Sequence, residues 1–264
     1  DYVDTDIIPG PSEGDRGYWV KFNYVRTSND YLWRAPFTDA NYDKGKTYTA
    51  EDDRGSFDCG RKEVFHIATA ETRTHIAIFD ISPRTDGFGA AEEYNHSADS
   101  DPDIDVNNPG WQLNKIRLYT KAEYLNEDGS INPDAVPLQT TYFQYEIDPL
   151  LQLAQNVSNG LNSGNGKLTL RKVWTEYQNS QRGSNNAYTF TYGGVDKTYT
   201  NWNMDRWGNY KKGTDVCKTR KFPYVKQFDG DANDYTGKRN FKENRDKDAA
   251  AWSLTKINLP SGGS

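Results

Sequence analysis

Apolar and polar residues alternate with a period of two along much of this chain. Residues 18–24 read Tyr-Trp-Val-Lys-Phe-Asn-Tyr. Val20, Phe22 and Tyr24 share one face there, the pattern of a half-buried strand. Residues 63–68 and 74–80 alternate in the same way around a turn at 70–73, which predicts a hairpin or two neighbouring strands. Further strands are predicted at 113–118, 141–145, 187–192, 253–260 and 167–174, with Leu168, Leu170 and Lys172 facing one way in the last. Residues 82–109, rich in Asp, Gly, Ser and Asn, read as a long loop. Residues 126–130 read as a turn, 161–166 as a linker, and 229–248 as a polar stretch anchored by Tyr235 and Phe241. Asp148 as an N-cap before Pro149 predicts helical turns over 149–155, and a second short helix is expected over 246–252. Ser261, Gly262, Gly263 and Ser264 read as a hairpin turn. The preferred expectation is a hairpin cut between its strands, against a flexible tail. The fold class is therefore all-β: antiparallel hairpins forming a curved sheet or sandwich, with one or two short helices. Two regions are expected, an aromatic-rich β region over 1–160 and a β-hairpin region over 161–264 that continues past residue 264.

Composition adds to this picture. Only 34% of the 264 residues are hydrophobic, yet 14% are aromatic. Disordered chains are poor in aromatic residues, so the expectation is a folded chain whose core uses rings as much as aliphatic side chains. Lys and Arg number 32 against 38 Asp and Glu, a net charge of −6. With no basic surplus to neutralise phosphates, nucleic acid is not an expected partner. No apolar run approaches the ~20 residues of a membrane-spanning helix, so membrane insertion is not expected. The chain opens Asp1-Tyr2-Val3-Asp4 without Met or a leader, as a mature or excised piece would. Cys59 and Cys217 match no zinc or redox spacing. They read as two isolated thiols, as one long-range disulfide, or, with only three histidines to activate it, as a catalytic thiol.

No catalytic signature stands out. His66 and His75 fall in strand patterns and His96 in an acidic loop, without metal or triad spacing. Residues 160–167 superficially resemble a phosphate loop. However, Leu161 stands where that motif needs Gly, Leu168 where it needs Ser or Thr, and a strand follows. Paired carboxylates for glycoside hydrolysis are a third-ranked reading, because 38 acidic residues guarantee plausible pairs. The sharper acidic feature is Asp99, Asp101, Asp103 and Asp105, whose alternating carboxylates could offer hard oxygens to Ca²⁺. Residues 229–234 make a weaker case. A solvated acidic loop is the default for both. Trp202, Trp207 and Tyr210 could stack on sugar rings, although in a chain with few aliphatics such rings more often fill a core.

Three segments together resemble a family. Residues 167–173 (Lys-Leu-Thr-Leu-Arg-Lys-Val), followed by 188–193 (Tyr-Thr-Phe-Thr-Tyr-Gly), are similar to the paired strands in the shells of Rhs/YD-repeat proteins and insecticidal toxin-complex components. Residues 204–210, Met-Asp-Arg-Trp-Gly-Asn-Tyr, resemble the core pattern Tyr-Asp-x-x-Gly-Asn with Met204 in place of Tyr. Residues 254–262 resemble the strand and Pro-x-Gly turn that open such a hairpin. Most of the chain also resembles large secreted surface proteins of Bacteroidota-type bacteria, with residues 17–22 and 74–77 upstream of the same strands. The resemblance implies a non-catalytic structural segment of a large extracellular or cell-surface bacterial protein, making the 161–264 region YD-like. Neighbouring segments of a larger chain or assembly would be its partners, and it implies no catalytic residue. The rival from another class is a carbohydrate-binding β-sandwich module, Ca²⁺-dependent if the acidic loop holds the ion, with glycan as its partner.

Overall fold

The structure, a computed structural model of the chain, describes residues 2–3, 10, 12, 14–35, 41–44, 53–56, 58–91, 104–145, 168–193 and 250–263. Strand far outweighs helix, and the fold is all-β. Its strands are β1 (Tyr2–Val3), β2 (Arg16–Gly17), β3 (Lys21–Ala35), β4 (Asn41–Lys44), β5 (Asp53–Ser56), β6 (Asp58–Glu71), β7 (His75–Ala90), β8 (Ile104–Thr120), β9 (Gln139–Gln144), β10 (Lys172–Tyr177), β11 (Tyr188–Tyr192) and β12 (Leu254–Asn258). One helical turn, α1 (Lys121–Tyr124), follows β8, capped by Thr120 accepting from Glu123 N. A 3₁₀ turn, Gly183–Asn186, joins β10 to β11. The helical turns expected at 149–155, the linker at 161–166 and the polar stretch at 229–248 lie outside the described residues. Of the helix expected over 246–252, residues 250–252 are described, and they form a turn.

Eight strands make one antiparallel meander in the order β12-β11-β10-β9-β8-β7-β6-β3. Each strand pairs with its neighbour in this series, and β4–β5 is a small hairpin between β3 and β6. Among the described residues the other sheets have two strands each. The hairpin expected around 70–73 is β6–β7, with Thr72 N donating to His75 O at 2.9 Å. The long loop expected over 82–109 is corrected by the structure. β7 runs on to Ala90 and β8 begins at Ile104, paired across Pro83↔Trp111 and Phe88↔Pro109. Both prolines sit at register shifts, where a missing ladder N–H is tolerated.

The face carrying Ile76 and its cross-strand partner Tyr119 is buried. Beside them Asp80 takes a bidentate pair from Arg117, Nε to Oδ2 at 2.7 Å and Nη2 to Oδ1 at 2.8 Å, while Arg117 Nη1 donates to Tyr119 Oη. Tyr142 stacks on Trp174, directly opposite it in the β9–β10 ladder, with ring centroids 5.0 Å apart. Val20, Phe22 and Tyr24 stay more exposed than the expected half-buried face would be. Among the described residues of β3, Leu32 and Arg34, farther along the strand, are buried.

Candidate functional site

β6 and β7 pair only at Thr69↔Ile78, Ala70↔Ala77 and Glu71↔Ile76. Beyond that point β3–β6 and β7–β8 continue as two separate ribbons, each paired along its length. The ribbons then pack on one another. A methyl group at Gly89 of β7 would lie 2.9 Å from Leu32 O of β3, and the His66 ring of β6 is 6.4 Å from Trp111 of β8. Leu32 and Ala90 are buried at this contact.

A cleft of about 270 Å³ opens between the ribbons, walled by residues 27–30, Leu32 and Arg61 on one side and Ala90, Ala91, Asp105, Asn107 and Asn108 on the other. The ladder of β3 breaks register between Arg26 and Ser28 and again between Ser28 and Tyr31. Such bulges re-aim side chains, and here they give the polar run Thr27-Ser28-Asn29-Asp30 to the cleft. Ser28 Oγ donates to Asn108 Oδ1 at 2.8 Å, and Asn108 Nδ2 donates to Asp30 O at 2.8 Å. One asparagine thereby ties β8 to the bulge of β3. Arg61 pairs with Asp30 at 2.5 Å at the exposed rim.

Chemically, the described lining of the cleft is mostly polar: hydroxyls, amides, carboxylates and a guanidinium. Ser28 gives its proton to an amide oxygen, not to a base. Thr27 Oγ1 lies 3.3 Å from Val64 O and 3.0 Å from His66 Nδ1. Among the described residues no carboxylate hydrogen-bonds to His66. Tyr31 has its phenol pushed above the ordinary value by burial, partly offset by Arg84.

Of the four aspartates expected to hold Ca²⁺, Asp105 is described, at the cleft wall. Its Oδ1 accepts from Asn107 N at 3.0 Å, closing a local turn. Asp99, Asp101 and Asp103 lie outside the described residues, as do Trp202, Trp207 and Tyr210. Among the described residues no three His, Cys, Asp or Glu side chains converge as metal ligands. His75 Nδ1 lies 2.8 Å from Thr74 Oγ1, and His96 is outside the described residues. Cys59 is half-buried on β6, and Cys217 is also outside them. No described helix is long and apolar enough to cross a membrane. Sequence reasoning missed the cleft. Its available signal was the uninterrupted polar run at 27–30 inside an otherwise strand-like segment, which marks a bulge.

No protein-family model, curated protein or solved structure matches the chain.

Proposed function

We propose that this chain is a non-catalytic structural segment of a large extracellular bacterial protein of the Rhs/YD-repeat kind. It contributes wall, and neighbouring segments of the same protein or assembly are its partners. The observation that carries this reading is the sheet itself: an eight-stranded meander whose successive strands pair side by side while large apolar side chains on them stay uncovered. Phe22, Tyr24 and Phe65 are 49%, 60% and 53% exposed. Large apolar side chains left exposed on the neighbouring strands β3 and β6 suit a face that meets another surface.

Electron cryo-microscopy of the intact secreted protein tests the proposal. The expected result is this sheet running within the wall of a larger β shell. A chain standing apart as a separate lobe that binds glycan would overturn it in favour of the carbohydrate-binding module. Trp207→Ala on a glycan array separates the same two readings, because a stable variant that loses glycan binding belongs to the module. A melting temperature raised by Ca²⁺ and lowered by a chelator would show that the folded chain binds the ion, and loss of that shift in Asp101→Asn would assign it to the loop of Asp99, Asp101, Asp103 and Asp105.

A further inference from the structure

Near the turn of the β6–β7 hairpin, one carboxylate touches both an amine and an amide. Lys121 Nζ lies 3.3 Å from Glu71 Oε2, and Asn23 Nδ2 donates to Glu71 Oε1 at 2.8 Å. The side chains come from three elements: Asn23 from β3, Glu71 from the end of β6 and Lys121 from the start of α1. The ladder explains the meeting. Lys21 faces Glu71 and Asn23 faces Thr69, so Asn23 and Glu71 stand diagonally on one side of the sheet. Thr69 Oγ1 accepts a second bond from Asn23 Nδ2 at 2.8 Å and fixes the amide. Lys121 is tied to the same hairpin by its backbone N–H, which donates to Thr74 O at 2.9 Å. Its ammonium sits over the Trp19 ring, 5.2 Å from the centroid.

This contact differs from the surface ion pairs of the sheet. The side chains of Lys121 and Glu71 are only 14% and 21% exposed, against about half for Arg61 and Asp30. Water and salt screen such a shielded pair little. Ile76, opposite Glu71 on β7, and Tyr119, opposite Ile76 on β8, are buried, so the contact borders the core. Among the described residues Glu71 pairs with Lys121, although Lys21 is the cation directly opposite it. A nucleophile, a proton carrier and an acyl carbon bearing a leaving group thus share one contact.

We propose that Lys121 and Asn23 join in an intramolecular isopeptide bond, which the chain forms on itself with Glu71 as proton carrier. Glu71 Oε2 takes a proton from the Lys121 ammonium. The neutral amine then attacks Cγ of Asn23. Glu71 passes its proton to Asn23 Nδ2 and takes the second proton that Nζ releases. The Cγ–Nδ2 bond breaks, ammonia leaves, and an amide bond between Nζ and Cγ remains. Nothing is oxidised or reduced. The reaction happens once and uses no external substrate. It ties β3 covalently to the junction of β8 and α1, across the β3-β6-β7-β8 end of the sheet. The inference is independent of the shell reading, and a separate lobe seen by microscopy would leave it untouched.

Mass spectrometry of the 264-residue chain, after incubation at neutral pH, is the test. The expected intact mass is lower than the sequence mass by one ammonia. A tryptic digest should contain a branched peptide joining Asn23 to Lys121, uncleaved after Lys121. Glu71→Gln keeps the size and polarity of the side chain and should give the full sequence mass with no branched peptide. Amide exchange in β9 and β10 matching the original chain shows that this variant is folded. Unlinked Asn23 and Lys121 in the original chain after prolonged incubation would overturn the proposal, whatever the variant does. Loss of ammonia without the branched peptide would overturn it as well, because the loss would come from asparagines cyclising elsewhere. A branched peptide formed as fast in Glu71→Gln would overturn it too, because Glu71 would not be the proton carrier.

Discussion

Single positions in this protein are decided by space and by local hydrogen bonds. At Gly183, in the 3₁₀ turn, a methyl group would lie 2.5 Å from Thr175 O and 2.9 Å from Trp174 Cδ1. The first of these is backbone and cannot swing aside. Gly183→Ala is therefore expected to cost about 1–3 kcal/mol, read as a lower urea midpoint. An unchanged midpoint would show that the turn yields freely. Asp128 is a different case. Its carboxylate accepts from Ser130 Oγ at 2.6 Å and Ser130 N at 2.9 Å, and these bonds hold its pKa below the ordinary value. A depressed folded-state pKa means that the carboxylate supports the turn above its unfolded-state pKa of about 3.9, and that the support is lost as pH falls through the folded value. NMR titration should place Asp128 below an ordinary aspartate, and Ser130→Ala should move it upward. A titration that Ser130→Ala leaves in place would contradict this account.

At the scale of elements, pairing overrides composition. The stretch from Ser82 to Pro109 has the Asp, Gly and Pro content of a loop, yet much of it is a ribbon because β7 and β8 supply each other with ladder partners. Irregular residues are absorbed at bulges and do not end the strands. The packing of this ribbon on β3–β6 depends on the absence of a side chain at Gly89, where Leu32 O approaches. Gly89→Ala is expected to push the ribbons apart and destabilise the protein by about 1–3 kcal/mol. Urea denaturation measures the loss. The same variant should speed amide exchange near the cleft, at Ser28 and Asn108, relative to β9 and β10. Equal exchange in both places would mean that the ribbons are not held by this contact.

For the molecule as a whole, tyrosine matters more than the small aliphatic core would suggest. Tyr31, Tyr142, Tyr145 and Tyr192 all have phenols raised above the ordinary value, each chiefly by burial. A raised folded-state pKa places their contribution fully below the unfolded-state value of about 10, to be lost as pH rises through the folded values. Stability should therefore fall as pH passes from about 9 to about 11, with a subset of tyrosines ionising late in an ultraviolet absorbance titration. A midpoint flat across that range, or tyrosines that all titrate together at the ordinary value, would refute it.

The sequence by itself determined several of the strands, because a period of two survives any change of partner, whereas β7 and β8 run through the expected loop at 82–109 and β10 begins at Lys172, inside the strand expected over 167–174. β6, β9, β11 and β12 overlap the segments where the alternation puts them, and the turn at 126–130 falls where expected, while the turn expected at 261–264 begins earlier, at Leu259, because β12 stops at Asn258. Alternation tells which side chains share a face and says nothing of what covers that face. Val20, Phe22 and Tyr24 were therefore legible as a set but not as an exposed one. The helical turn at Lys121–Tyr124 was missed because four residues carry no periodicity to detect. The cleft was invisible for a further reason. Ser28 meets Asn108 across 80 residues of chain, and only the parting of β6 from β7 brings those two positions together. Long-range pairing, decided by the competition of whole strands for partners, is the part of this protein that tertiary structure alone supplied.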